Sequence, residues 1–427
     1  MVYVASNMTE LGPQAMLVVF VVGYLCIALE HTLGVNKAAT AVGMAAALWS
    51  MLLIAATDSA HVAQVLTEHL AETSQIIFFL LGAMTLVEVI DAHGAFRVVT
   101  DQIRVRSRRG LLFALGILTF FMSSVLDNLT TTIVMVSLLR RLIPDHDERL
   151  RFGGFIVIAA NAGGAWTPIG DVTTTMLWIG GQVTTGGVIR KLVLPSLVCL
   201  FGAMAVLALS LKGAPAGSDR PESSPAMRRG ARRVLVLGLS AFLMVPVLKS
   251  ALHLPPFLGI CAGLSVMWVT TDILHRHDEE AGPVRVPHAL SRVDVSSAFF
   301  FLGILLAVGA LQTAGQLSVL ARGLASLTSS ERLVAALLGV ASAIVDNVPL
   351  VAAIMRMYTM TQFPTDSEFW ALTAYCAGTG GSLLIIGSAA GVALMGMEKI
   401  TFGWYLRYIA PAAFAGYVLG LLATVLV

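Results

Sequence analysis

Long apolar stretches, each near the length needed to cross a bilayer, alternate along this chain with short segments that hold nearly all of its charge. Runs of this kind begin near Gln14, Lys37, Gln75, Arg190, Val234, Pro256, Val295 and Trp404. Two further stretches, 152–182 and 369–397, are long enough but rich in glycine and polar residues. Two more, 110–143 and 332–360, are each interrupted at the middle by an Asp-Asn pair. Lipid tolerates little besides helices and closed barrels, so the pattern predicts an all-α polytopic membrane protein.

The arginines and lysines set an expected sidedness. Arg97, Arg104, Arg106, Arg108 and Arg109 follow the third run, and Lys212, Arg220, Arg228, Arg229, Arg232 and Arg233 lie in 212–233. The second of these segments is rich in Pro, Ser and Gly and reads as a flexible cytoplasmic linker. Residues 57–74 carry acids and histidines but no Lys or Arg, and read as an outward loop. The stretch 110–143 has arginines at both ends and two arms too short to cross, so it is expected to enter from the cytoplasm, turn at Asp127-Asn128 and return. The stretch 332–360 then enters from outside and turns at Asp346-Asn347. Every remaining loop obeys the positive-inside rule with ten spans, two re-entrant hairpins and an outside N-terminus.

Composition agrees with this picture. The 427 residues are 57% hydrophobic and only 12% charged, with a net charge of +2, and the mean hydropathy is +0.84. A soluble protein carries about a quarter charged residues, so a soluble enzyme, a nucleic-acid binder and a disordered scaffold are excluded. Cys26, Cys199, Cys261 and Cys376 all lie in apolar runs and read as buried hydrophobes. The first ten residues lack the basic start of a cleavable signal peptide, which makes the first run a retained span.

The chain also repeats itself. FFLLGAMTLVEVIDAHG (78–94) matches FFFLGILLAVGALQTAG (299–315), SSVLDN (123–128) matches SAIVDN (342–347), and GGAWTPIGDVTTTMLWIG (163–180) matches GGSLLIIGSAAGVALMGM (380–397). The halves are 1–211 and 234–427, joined by the linker 212–233. Five spans in each half force the second to run upside down. Inverted repeats with broken helices are the mark of secondary transporters, whose sites lie where the breaks meet.

Four breaks are expected to converge: the two Asp-Asn tips and the unwound stretches 161–175 and 378–391. The first stretch offers Asn161, Thr167, Asp171 and Thr173 to Thr175; the second offers Thr379, Ser382 and Ser388. Side-chain oxygens with freed carbonyls suit a hard cation such as Na⁺ or Li⁺, and no resident cofactor is called for. Each of these residue types also makes an ordinary helix N-cap. A neutral side chain would cap equally well, however, and a carboxylate at the membrane centre costs about 2.5–3.5 kcal/mol on insertion scales. Asp127, Asp171 and Asp346 are therefore the functional candidates. Glu88, in the third run, reads either as a proton relay or as half of a pair near the cytoplasmic end beside Asp91 and His93. Glu30 and His31 read as interfacial, and the Met-rich run 355–360 as packing.

The segments 123–135, 161–181, 342–353 and 378–400 resemble the NhaD-type sodium/proton antiporters of the ion-transporter superfamily. The resemblance covers most of the chain from about residue 75 onward. It implies exchange of Na⁺ or Li⁺ for H⁺ in a prokaryotic cytoplasmic membrane, with a role in Na⁺ and pH homeostasis. It also implies a homodimer built on a scaffold, and a moving transport domain that contains both hairpins. Matched motif by motif, the implied ion-site residues are Asp127, Asn128, Asn161, Asp171, Thr173, Thr174, Asp346, Asn347, Ser382 and Ser388.

A sodium-coupled carboxylate symporter or oxyanion transporter of the same superfamily is the rival reading, since half-helix N-termini favour anions. Three buried acids with no arginine at the breaks argue against it. An intramembrane aspartyl protease is the enzyme alternative, but Asp171 sits in PIGD rather than GxGD, and a protease has no need of two inverted copies.

Overall fold

The computed structural model describes residues 11–28, 30–100, 107–143, 145–210, 227–278, 282–317, 319, 330–343 and 347–427. Asp346 and most of the 212–233 linker lie outside them. The described residues form helices and contain no strand.

In chain order the main helices are α1 (Leu11–Ala28), α2 (Lys37–Ala55), α3 (Ser59–Ala92), α4 (Arg108–Ser123), α5 (Asn128–Leu142), α6 (His146–Ala165), α7 (Val172–Ile179) and α8 (Thr185–Ser210). They continue as α9 (Ala231–Leu252), α10 (Pro256–Leu274), α11 (Val295–Thr313), α12 (Glu331–Ser342), α13 (Asn347–Met357), α14 (Glu368–Gly380), α15 (Ala389–Glu398), α16 (Phe402–Tyr408) and α17 (Ala410–Ala423). Short polar side chains start many of them. Asn36, Asp58, Ser107, Asp127, Asp145 and Asp294 each accept a backbone N–H from the first turn of the helix they precede.

Among the described residues, six helices are long and apolar enough to cross a membrane: α2, α3, α8, α9, α10 and α11. The bent pair Phe402–Tyr408 and Ala410–Leu426, angled by 54°, can make a seventh. The ten expected spans differ from this in two ways. The run near Gln14 forms α1, whose apolar part Gln14–Ile27 is shorter than a full crossing. The stretches 152–182 and 369–397 each divide into two helices, α6 with α7 and α14 with α15.

Residues 59–74 are helical rather than a loop. Asp58 accepts the His61 N–H at 3.0 Å and starts a helix of 34 residues that runs from Ser59 to Ala92. Good helix formers between polar positions let the first turns stand clear of the apolar part.

Two sets of helices pack mainly within themselves. One comprises α1, α2, α3, α9, α10 and α11; the other comprises α4 to α8 and α12 to α17, and α11 against α13 is the main contact between them. In the first set, Gly303 lets α11 lie directly on the backbone of Ala41 and Val42 in α2, and Trp49 Nε1 donates to the Leu306 carbonyl at 2.9 Å. Small residues at close helix crossings are expected where lipid removes the hydrophobic drive for association. Both α3 and α11 end on a glycine in the left-handed region, Gly94 (φ 63°) and Gly315 (φ 77°).

Candidate ion-binding site

The two broken stretches meet Asp127, Asn128 and Asn347 inside the second helix set. The chain leaves α6 at Ala165 and re-enters helix at Val172; the second break runs from Gly381 to Ser388. Both breaks are shorter than expected. Asn161 and Thr379 lie within helices, as do Thr173 and Thr174, because glycine-permitted packing holds α6 and α14 in register almost to the break.

Matched contacts build both halves. The Ser123 hydroxyl donates to the Ala160 carbonyl at 2.6 Å, and Ser342 donates to Ala377 at 2.9 Å. A Cβ on Gly163 would press onto the Phe120 carbonyl, and one on Gly380 onto the Gly339 carbonyl. Only glycine allows these approaches, which bring α4 and α12 against the broken helices. The Thr167 hydroxyl then ties the first break to the Ser124 carbonyl at 2.6 Å, while Tyr405 Oη donates to the Ser382 carbonyl at 2.8 Å in the second.

A buried chain of polar side chains fills the meeting point. Asn128 Nδ2 donates to Asn161 Oδ1 at 2.9 Å and to Asp171 Oδ2 at 3.2 Å. Asn161 Nδ2 donates in turn to the Ser382 hydroxyl at 2.8 Å and the Ser388 hydroxyl at 2.9 Å. Asp171 is 1% exposed and its Oδ1 accepts the Thr173 N–H at 3.0 Å, capping α7. Ser388 caps α15 in the same way. The hydroxyls of Thr173 and Thr174 are buried and make no hydrogen bond with the protein, which leaves two oxygens available to a ligand.

Asp127 lies beside this chain rather than in it. Its Oδ1 accepts the Thr130 N–H at 2.8 Å and its Oδ2 accepts the Thr130 hydroxyl at 2.6 Å. A cleft lined by Asp127, Asn128, Asp171, Thr175 and Asn347 separates these residues from Phe79, Phe300 and Phe301 of the first helix set. Five of the expected site residues thus join one hydrogen-bonded chain (Asn128, Asn161, Asp171, Ser382 and Ser388), and Asp127 and Asn347 share its cleft. The N-termini of α5, α7, α13 and α15 gather there, placing their partial positive charge where Asp171 supplies the negative one. Asp346 is outside the described residues.

Glu88 lies elsewhere. Its Oε1 stands 2.9 Å from Nε of Arg292, which leaves the carboxylate in an ion pair with the short helix Val286–Arg292. Thr175, expected from the first stretch, lines the cleft, and so do Thr130 and Lys37, which the sequence does not single out. For Thr130 a signal existed, since a hydroxyl three residues after an N-cap Asp can share its carboxylate.

A family model described as a citrate transporter matches residues 15–375. "Sodium/proton antiporter 2" of Arabidopsis thaliana is 50% identical over 412 residues, covering 95% of this chain and 98% of the plant protein. The "Na(+)/H(+) antiporter NhaD" of Vibrio cholerae is 31% identical over 439 residues, covering 95% and 90%. The chain belongs to the NhaD-type antiporter family. The crystal structure of the Alcanivorax borkumensis YdaH transporter shares the fold of this NhaD-type chain with a TM-score of 0.56 at 13% identity, covering 91% of this chain and 95% of that one. With its apolar helices, membership in this family makes the chain a multi-pass membrane transporter.

Proposed function

We propose that this protein exchanges Na⁺, and Li⁺ in its place, for H⁺ across the cytoplasmic membrane by alternating access. The observation that carries the reading is Asp171: one buried carboxylate in a network of neutral amides and hydroxyls, at the gathered ends of half-helices. A proton and a small cation each neutralise that carboxylate, so occupancy by one excludes the other. Burial of a carboxylate at this depth is costly for a residue whose task is structural alone. The sodium/proton antiporter names of the relatives support the same exchange.

The matched glycine and serine contacts support an inverted repeat with halves 1–211 and 234–427 and re-entrant arms α4–α5 and α12–α13. In that reading the second helix set moves against the first, which forms the scaffold and the homodimer contact. Arg140 and Arg149 both pair with Glu398, at 2.7 and 2.9 Å, a cluster the positive-inside rule assigns to the cytoplasm. Glu72 with Arg356, 2.6 Å apart, belongs to the outer end. The cleft runs toward Lys37 and the N-cap of α11, so it opens inward with an outside N-terminus.

A carboxylate substrate fits poorly, because Asp171 already occupies the N-terminus of α7 and would repel it. The test is purified protein in liposomes with an imposed pH gradient and a trapped pH-sensitive dye. Na⁺ or Li⁺ should collapse the gradient, and K⁺ and succinate should not. Sodium-dependent succinate uptake with no cation-driven proton movement would overturn the exchange while leaving the fold intact.

A further inference from the structure

The cleft that carries the acids has a third charged residue in its lining. Lys37 lines it together with Asp127 and Asp171, and these three are its charged side chains among the described residues. Lys37 also lines a second, more open cavity with Glu30, Asn36, Asp294 and Ser296. The two spaces share Lys37, Leu129, Ser297 and Ala389, so Lys37 stands at the neck between them.

Local structure fixes it there. Lys37 is the first residue of α2, and its backbone N–H donates to Glu30 Oε1 at 3.1 Å. Its ammonium lies 4.7 Å from the centroid of the Phe300 ring, which is buried and lines the same cleft. Among the described residues no carboxylate lies within ion-pair distance of that ammonium. The aromatic face therefore holds the charge where a surface lysine would extend into water.

We propose that Lys37 sets the cation affinity of the site, acting as a tethered positive charge that an entering Na⁺ must oppose. The inference rests on Asp127 and Asp171 belonging to the ion site. Lys37 belongs to the first helix set and the acids to the second, so relative movement of the sets would change the distance between them. The ammonium then weakens cation binding in the state where the cleft is open at this neck, and less so in the other. A fixed charge of the substrate's own sign at a constriction lowers local substrate concentration and binding together.

The test is the Na⁺ dependence of antiport in liposomes for the unaltered protein, Lys37→Gln and Lys37→Arg. Lys37→Gln should lower KM for Na⁺ by about threefold or more, the order expected for removing one charge at this range, with kcat little changed. Lys37→Arg should keep the original KM. An unchanged or raised KM in Lys37→Gln, or the same KM change in both variants, would overturn the role. If Lys37→Gln does not fold, Lys37→Cys can be modified after folding, with the unaltered protein treated alongside to control for its own cysteines. An ammonium-bearing thiol reagent should restore the original KM and a sulfonate-bearing one should lower it; equal effects would again overturn the role. Failure of the functional reading is separate and shows earlier, as no Na⁺-driven proton movement in the unaltered protein.

Discussion

Asp171 and Ser388 occupy matching positions, each at the end of one of the two breaks. Each caps the half-helix that follows its break, with backbone φ and ψ of −142° and 142° for Asp171 and −148° and 154° for Ser388. Each also joins Asn161, Ser388 directly at 2.9 Å and Asp171 through Asn128. The capping task is therefore met by a hydroxyl at one break and by a carboxylate at the other.

That difference separates capping from charge. Replacing Asp171 by Ser keeps an N-cap of similar quality, so the half-helix should persist and thermal stability in detergent should change by no more than about 1 kcal/mol. Proton/sodium exchange in liposomes should fall to background. Retained exchange in a folded Asp171→Ser protein would remove Asp171 from the transport chemistry.

Asn161 holds the two breaks together from a position with no solvent exposure. Its carbonyl accepts from Asn128 while its amide serves both Ser382 and Ser388. Asn161→Leu has similar bulk but strands one donor and two hydroxyls, at roughly 2–4 kcal/mol. A clear drop in unfolding temperature should accompany loss of transport. Asn161→Leu at full stability would mean the chain is rearranged by other partners.

The glycines that seat each tip make a matched pair for substitution. Gly163→Ala would drive a methyl into the Phe120 carbonyl, and Gly380→Ala one into the Gly339 carbonyl, neither able to yield without moving a helix. Both should destabilise by about 1–3 kcal/mol or more. Gly396→Ala, which meets nothing within 4 Å on α15, should be neutral or slightly stabilising. Equal unfolding temperatures across the three would refute the close contact.

Much of this site is legible in the sequence because its signals are local. Asp-Asn inside an apolar run and glycine clusters beside hydroxyls mark the breaks, and repetition marks which breaks correspond. What was not legible depends on long-range packing. The partner of Glu88 is Arg292, on another helix more than two hundred positions away, and no periodicity connects them. Lys37 reads from the sequence as a charge at the start of a span; only the packing of α2 on α11 turns it toward Phe300 and the cleft. The first turns of α3 look like a loop in the sequence because their polarity marks exposure, and an exposed segment can be helical as well as irregular.

A pH dependence separate from the ion site comes from His93, which packs against His275. They follow the C-termini of α3 and α10, both are buried, and their Nε2 atoms lie 3.1 Å apart. His93 Nδ1 lies 2.7 Å from the Val89 carbonyl, so it carries the proton and His275 Nε2–H donates to His93 Nε2. Burial holds the His93 imidazole below its ordinary value; the Val89 hydrogen bond opposes this, and the neighbouring His275 and Arg228 add to the lowering. A histidine lowered in the folded state contributes stability that is present above its unfolded value of about 6.5 and is lost as pH falls toward the folded value. The unfolding temperature should therefore drop on acidification below about pH 6.5. Replacing both histidines by Leu removes the matched polar pair together, which costs little on balance, and it should flatten that acid slope. If the double variant keeps the slope of the unaltered protein between neutral and mildly acid pH, His93 does not titrate with unfolding, and the acid sensitivity comes from the carboxylates.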